Sequence, residues 1–286
     1  MCYTCVRECP AKAIRIQEGQ AAVIPERCIC CGNCVKVCSQ GAKRWITSIP
    51  QLDELLTSGA RVAACIAPSF PAEFVECSAE ALVGMLRSLG FALVTEVAFG
   101  AELVAGKYRD LFSQVSRKGQ ISTCCPAIIG YVERYYPQLV DHLAPIVSPM
   151  VAMSRVLRKT HGADLKIVFI GPCIAKKVEA ASRKLPGEID VALTFAELRE
   201  AFEARGIKPE DVFPSSFDPP RGNIGSLFPI SHGMLQTAGI DEDLVAGQVV
   251  CTEGRTNFIE AIREFAEGNL DARLLGLQGL ANAGDR

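Results

Sequence analysis

The strongest constraint in this sequence is a run of cysteines, Cys28, Cys31, Cys34 and Cys38, spaced C-x2-C-x2-C-x3-C. That spacing suits a four-iron, four-sulfur cluster. Three thiolates on one tight loop cap three corners of the cube. The fourth, one helical turn further on, points at a different cluster. Gly32 lets the loop wrap closely. The pattern recurs upstream in shorter form: Cys2, Cys5 and Cys9 precede Cys31, Cys34 and Cys38 by 29 residues each, and Pro10 follows Cys9. The counterpart of Cys28 would fall just upstream of Met1. Between the halves, Ile14–Ile16 and Ala22–Ile24 read as two short strands around a turn at Glu18-Gly19. Zinc also takes paired C-x2-C ligands, but two such runs in one register favour iron and sulfur.

With its internal repeat, the segment 1–45 resembles a two-cluster bacterial ferredoxin, a 4Fe–4S ferredoxin-type domain of α+β character. The resemblance implies crossed ligation. Cys28, Cys31, Cys34 and Cys9 would hold one complete cluster. Cys2, Cys5 and Cys38 would supply three corners of a second, which lacks its upstream ligand. Cys30 is surplus and reads as a bystander.

Fourteen cysteines would suit a disulfide scaffold, but their spacing argues for reduced thiols, a cytoplasmic setting and low-oxygen chemistry. The net charge of −2, with both signs mixed, gives no electrostatic case for nucleic acid or an anionic membrane. No apolar run approaches the roughly 18 residues of a membrane span, and no signal-peptide core is evident.

After a short linker with a helix over Gln51–Leu56, residues 58–286 alternate apolar strands with amphipathic helices. Strands are expected at Val62–Ala67, Phe91–Phe99, Gln120–Thr123, Leu165–Ile170 and Ile189–Leu193. Helices are expected at Ala79–Leu89, Glu102–Ser116, Pro126–Tyr136, Pro149–Lys159, Phe195–Arg205 and Asn257–Glu267. The alternation predicts an α/β domain with parallel strands, and Pro214–Pro229 reads as a long ordered loop. Two cysteine motifs fall where a strand gives way to a helix: Thr123-Cys124-Cys125-Pro126, and Gly171-Pro172-Cys173 with Lys176 and Glu179. Open α/β sheets bind ligands at such places, and a helix N-terminus stabilises thiolate. Taken singly, either motif could be a buried structural cysteine, and Lys176 with Glu179 a solvated helix pair. Cys65, Cys77 and Cys251 match no motif and read as core residues. His142, His161 and His232 lack metal spacing and read as structural.

These motifs make the chain resemble an iron-only (FeFe) hydrogenase large subunit. Ser122-Thr123-Cys124-Cys125-Pro126 is similar to the family's first active-site signature, and Pro172-Cys173, Lys176 and Glu179 match the second, Pro-Cys-x-x-Lys-x-x-Glu. Ala67-Pro68-Ser69 and Phe228-Pro229-Ile230-Ser231 look like the regulatory or sensory branch. The resemblance implies a 4Fe–4S cluster bridged to a two-iron site, with Cys125 and Cys173 as its first two ligands. It makes Cys124 a proton-transfer thiol, Lys176 a donor to an anionic ligand, and Glu179 the residue that orients the lysine. It further implies H2 oxidation, proton reduction or H2 sensing, with a ferredoxin-like redox partner or fused signalling domains. A non-catalytic role in electron transfer or cluster assembly is the alternative. Three features depart from the family: no cysteine follows Cys251, no acidic relay is evident in Glu102–Lys107, and Gly171 stands where methionine is usual. The expectation is a chain truncated at both ends that folds most of its α/β domain but neither binds the two-iron site nor turns over H2, and that would regain cluster binding with an added Cys-x-x-x-Cys or Cys-x-x-Cys tail.

Overall fold

The computed structural model describes residues 2–114, 119–240, 248–254 and 256–278. The N-terminal segment holds two short helices and one hairpin. Helix α1 (Thr4–Arg7) and helix α2 (Asn33–Lys36) flank strands β1 (Ile14–Gln17) and β2 (Gln20–Val23), which pair antiparallel with Ile14 opposite Val23. The two helices are related by the sequence repeat, and each starts from a left-handed residue, Tyr3 or Gly32.

The larger part runs α3 (Ile49–Thr57), β3 (Val62–Ile66), α4 (Phe70–Glu73), α5 (Ala79–Leu89), β4 (Leu93–Glu96), α6 (Val97–Ser113), β5 (Gln120–Ile121), α7 (Pro126–Tyr135), α8 (Pro149–His161), β6 (Lys166–Gly171), α9 (Ala175–Ala180), β7 (Val191–Thr194), α10 (Phe195–Ala204), α11 (Gly233–Ala238), β8 (Val249–Glu253), α12 (Asn257–Ala266) and β9 (Leu274–Gln278). Its strands form two parallel sheets, one ordered β4-β3-β6-β7 and the other β5-β9-β8. The expected α/β architecture is therefore present. Both central strands of the larger sheet, β3 and β6, read as near-continuous apolar runs because helices cover both faces.

The expected strand Phe91–Phe99 ends early, at Glu96, and α6 starts at Val97. Val97, Ala98 and Phe99 continue the apolar run past Glu96, with Val97 and Ala98 buried on α6, so strand and helix look alike there. Gly100 is what lets α6 lie against α8: a Cβ at this position would run into the Pro149 carbonyl and the Met153 amide. Helix α11 and strands β8 and β9 were not foreseen. The tail in which a third cysteine motif was sought, residues 279–286, lies outside the described residues.

One core fills the larger sheet, centred on Ile66, Leu86, Met153, Ile170 and Leu198. A second joins the N-terminal segment to the rest: Cys5, Cys9, Ile14 and Ile29 pack with Ile128 and Val132 of α7, Phe258 of α12 and Leu275 of β9. Among the described residues, no helix is long and apolar enough to cross a membrane.

Candidate metal centres and thiol cleft

In the N-terminal segment, chain reversal brings the two repeat halves face to face. Cys31 has Cys9, Cys34 and Cys28 as its electrostatic neighbours, and Cys34 has Cys28, Cys9 and Cys5. Cys9, Cys28, Cys31 and Cys34 therefore share one locality. Cys38 instead neighbours Cys2 at the surface. Backbone amides already point at these sulfurs: Ala13 N–H donates to Cys9 Sγ at 3.2 Å and Cys30 N–H to Cys28 Sγ at 3.4 Å. Amide donors favour the anionic thiolate. The Cys28 thiol is held at about 6, first by a hydrogen bond from Cys30, whereas burial pushes Cys31 up to about 12. Cys30 adopts a left-handed backbone, φ 55°, and its own thiol is pushed upward by the bond to Cys28 and by burial. Among the described residues, no three Cys, His, Asp or Glu side chains are placed to hold a single metal ion.

The second locality lies where the carboxyl ends of strands from both sheets meet. β5 ends at Ile121, and Ser122 continues its ladder by donating N–H to the Leu275 carbonyl at 2.8 Å, while its Oγ accepts from Leu277 N–H at 2.9 Å. The chain then turns through Thr123 and Cys124, and α7 begins after Cys125. β6 ends at Gly171, and Pro172 to Ile174 lead into α9. Cys124, Cys125, Cys173 and Lys176 thereby line one apolar cavity of about 170 Å³, although nearly fifty residues separate the two motifs. Ala67, Pro68 and Ser69 form part of the same wall, as do Phe228 and Pro229. Cys125 sits at the N-terminus of a ten-residue helix, where the aligned amides favour negative charge. Burial pushes the Cys173 thiol up to about 11 and a neighbouring Cys125 pushes it the same way, while Lys176 pulls it down.

Lys176 is the charged centre of the cleft. Its ammonium donates to Glu179 Oε2 at 2.6 Å and to the Cys124 carbonyl at 3.2 Å. Burial alone would lower its proton affinity, but the Glu179 carboxylate more than compensates, and the lysine is held above its ordinary value. The pair is only 12% and 8% exposed, so it is not a solvated helix pair.

Sequence reasoning missed the residues behind Cys124. The buried Tyr108 hydroxyl accepts from Thr123 N–H at 2.8 Å and lies 3.7 Å from Cys124 Sγ. Thr123 Oγ1 donates onward to the Ile146 carbonyl at 2.6 Å. Burial pushes the Cys124 thiol up to about 12 against the opposing bond to Tyr108. Cys124 also lines a second cavity of about 250 Å³, with Cys251 and His232 on its wall. These two residues, read from sequence as structural, thus adjoin the cleft. The signal available for His232 was weak, a histidine before glycine. Its left-handed backbone, φ 61°, is visible only in the fold. Cys65, by contrast, is fully buried core, as expected. Glu102 Oε1 accepts from Gly225 N–H at 3.0 Å and pins the loop before α11. Gly171 has a local reason. A Cβ there would stand 2.7 Å from the Phe169 ring and 2.9 Å from Ala67 Cβ, so Phe169 occupies the space that a larger residue would need.

The sequence profile of the family described as iron only hydrogenase large subunit, C-terminal domain, matches residues 60–285. The periplasmic Fe hydrogenase large subunit of Nitratidesulfovibrio vulgaris is 30% identical over 278 residues, covering 83% of this chain and 64% of that protein. The cytosolic Fe–S cluster assembly factor NAR1 of Sclerotinia sclerotiorum is 27% identical over 131 residues, covering 39% of this chain and 22% of the relative. Apo FeFe-hydrogenase HydA1 from Chlamydomonas reinhardtii, in a variant form, superposes with a TM-score of 0.67 at 19% identity over 83% of this chain and 82% of that one. The chain spans 64%, 30% and 42% of the length of three hydrogenase relatives.

Proposed function

Because the chain belongs to the iron-only hydrogenase large-subunit family, a family of iron–sulfur proteins, we propose that it is a redox protein with two linked parts. The N-terminal segment is a ferredoxin-type electron carrier, and the thiol cleft is the place where hydrogen species are oxidised, formed or sensed. The observation that carries this reading is the meeting of Cys124, Cys125, Cys173 and Lys176 in one cleft.

The donor sets differ in how well they suit their groups. Cys9, Cys28, Cys31 and Cys34 suit a 4Fe–4S cluster: four soft thiols in one locality, two of them already accepting amide hydrogen bonds. Cys2, Cys5 and Cys38 offer three corners of a second. In the cleft, Cys125 and Cys173 supply two thiolates, while the bridged cluster implied by the family takes four; the described residues do not complete that set. Such a cluster, when bound, would supply the redox centre. What these residues contribute is narrower. Lys176 supplies a fixed, buried positive charge suited to an anionic ligand. Cys124 holds a proton at the cavity wall. Ala67, Pro68 and Phe169 keep the cavity apolar and exclude water. A cytoplasmic, low-oxygen setting and a ferredoxin-like or signalling partner fit the exposed Cys2 and the reduced thiols.

The test compares this chain with a form extended by a Cys-x-x-x-Cys tail, both matured anaerobically. H2-dependent reduction of a dye, or an H2-dependent change in the cluster spectrum, is expected in the extended form and is expected to vanish in Cys125→Ala and Cys173→Ala. Loss of neither signal in those variants would remove the cleft from the function. The match to NAR1 supports a second reading, cluster assembly without H2 chemistry. That reading gains if neither form responds to H2 while the N-terminal cluster passes to an acceptor apoprotein.

A further inference from the structure

Helix α7 begins at the thiol cleft and ends against the N-terminal segment. Its last residue, Tyr135, reaches across with one hydroxyl, which is placed to donate to two carbonyls, Ala11 at 2.6 Å and Arg27 at 2.9 Å. These acceptors belong to opposite halves of the internal repeat. Ala11 lies two residues after Cys9, and Arg27 immediately precedes Cys28. The hydroxyl therefore ties together the two backbone stretches that carry Cys9 and Cys28, the ligands contributed by the two different halves. Its neighbours on α7 support the same contact. Arg134 Nε donates to the Glu26 carbonyl at 3.2 Å, and the Ile29 backbone packs 3.9 Å from where a Cβ would stand on Gly130. The Tyr135 ring is held from behind by Tyr131, with centroids 4.9 Å apart and planes 29° from parallel. Tyr131 in turn meets Phe258 edge-on at 5.2 Å.

We propose that Tyr135 is a positioning residue for the complete cluster: its hydroxyl holds the Cys9 and Cys28 strands of the N-terminal segment at a fixed separation, on the same helix that presents Cys125 to the cleft. The aromatic stack makes the hydroxyl's location a property of the larger domain's core. Elsewhere the two halves are joined by Asn33 Nδ2 donating to the Glu8 carbonyl at 2.5 Å and by Ile24 N–H donating to the Ala13 carbonyl at 2.7 Å, contacts that do not reach the Arg27 side of Cys28. A hydroxyl shared between two acceptors is a weak bond in energy. It acts here on ligand geometry, since a shift of either carbonyl moves the adjacent cysteine.

The inference rests on the ferredoxin reading of the segment and not on hydrogen chemistry. The experiment uses the full chain with its N-terminal cluster reconstituted anaerobically, and compares Tyr135→Phe with Tyr131→Phe. Three quantities are read: the EPR spectrum of the reduced cluster, the rate of iron loss to a chelator, and hydrogen exchange at residues 9–13 and 27–31. Tyr135→Phe keeps the ring stack and removes the hydroxyl. It is expected to broaden the EPR signal, speed iron loss roughly three- to tenfold, the size of one ordinary hydrogen bond, and raise exchange in both stretches. Tyr131→Phe should leave all three unchanged. A 3,5-difluorotyrosine at position 135, a more acidic donor in nearly the same shape, should slow iron loss, and it provides the answer if Tyr135→Phe does not fold. Unchanged spectra and iron loss in Tyr135→Phe, or equal effects from Tyr131→Phe, would overturn the proposal. If the wild-type chain takes up no cluster, it is the ferredoxin reading that fails.

Discussion

The buried pair Lys176–Glu179 gives the sharpest test of the cleft. Its two side chains are 12% and 8% exposed and 2.6 Å apart. An exposed helix pair at this spacing contributes about 0.3–0.5 kcal/mol. Breaking a buried pair on one side costs far more, about 3–5 kcal/mol, because the surviving charge is left unpaired in a poor solvent. Glu179→Leu should therefore destabilise the chain by about 3 kcal/mol, which in a domain of this size lowers the melting temperature by about 6–12 °C. Lys176→Met should cost a similar amount. The double variant Lys176→Met/Glu179→Leu should recover most of the loss, since apolar replacement of a buried pair is close to neutral. The predicted coupling is about 2–4 kcal/mol, measured by urea unfolding of the metal-free chain followed by circular dichroism. The pH dependence has a definite sign. Lys176 is held above its ordinary value of 10.5, so the stability contributed by its raised proton affinity is complete below that pH and is lost as pH climbs through the higher folded value. Single variants costing under about 1 kcal/mol and adding in the double would return the pair to a solvated surface.

Three further outcomes follow from named contacts. Gly171→Ala should cost about 1–3 kcal/mol through overpacking against Phe169; Phe169→Leu in the same chain should restore much of the melting temperature, and an unshifted Gly171→Ala would mean that the ring simply turns aside. Glu197 accepts from Lys177 Nζ at 2.6 Å, from Ser48 N–H at 2.7 Å and from Thr194 N–H at 2.8 Å, and although burial would raise its carboxyl, Lys177 and these amides hold it below the ordinary 4.5. The stability gap between wild type and Glu197→Gln should accordingly be full above that pH and close as pH falls through the lowered value; a gap independent of pH between 3 and 6 (roughly the carboxylate range) would refute the ionised assignment. Cys9→Ser should reduce reconstituted iron at the complete site, whereas Cys2→Ser should spare it; equal iron losses would undo the crossed ligation.

Much of this was legible because the chemistry is local in sequence. The cysteine spacings could be read without a fold, and the two strand-to-helix motifs do meet at carboxyl ends of strands. The apolar runs of β3 and β6 were equally plain. What failed was whatever depends on distant partners. The run Val97-Ala98-Phe99 after Glu96 is apolar in either conformation, and its helical course goes with tertiary packing such as that of Gly100 against α8. Tyr108 gives no sign of its role, since it meets Cys124 by lying beneath the turn fifteen residues on. The burial of Lys176 and Glu179 is likewise a tertiary fact. Their spacing of three residues suits a solvated pair equally well.

The two candidate metal-binding regions stand in different relations to folding. In the cleft, the polar groups around the cysteines are already matched: Lys176 with Glu179, Thr123 Oγ1 with the Ile146 carbonyl, Ser122 Oγ with the Leu277 amide. A folded chain can therefore present the cleft before any metal arrives, and loading need not supply folding energy. The N-terminal segment is built otherwise. Its contribution to the shared core comes from Cys5, Cys9, Ala11, Ala13, Ile14 and Ile29, so two of its six buried contacts are themselves candidate ligands. So little apolar surface stabilises a unit of this size weakly, and metal binding there is folding free energy. The larger domain offsets that weakness through α7, whose Tyr131, Tyr135 and Ile128 brace the segment from outside. Loss of metal would loosen the segment first and leave the cleft standing. On the reading proposed above, the segment that would carry electrons is also the one whose order would report whether its clusters are present.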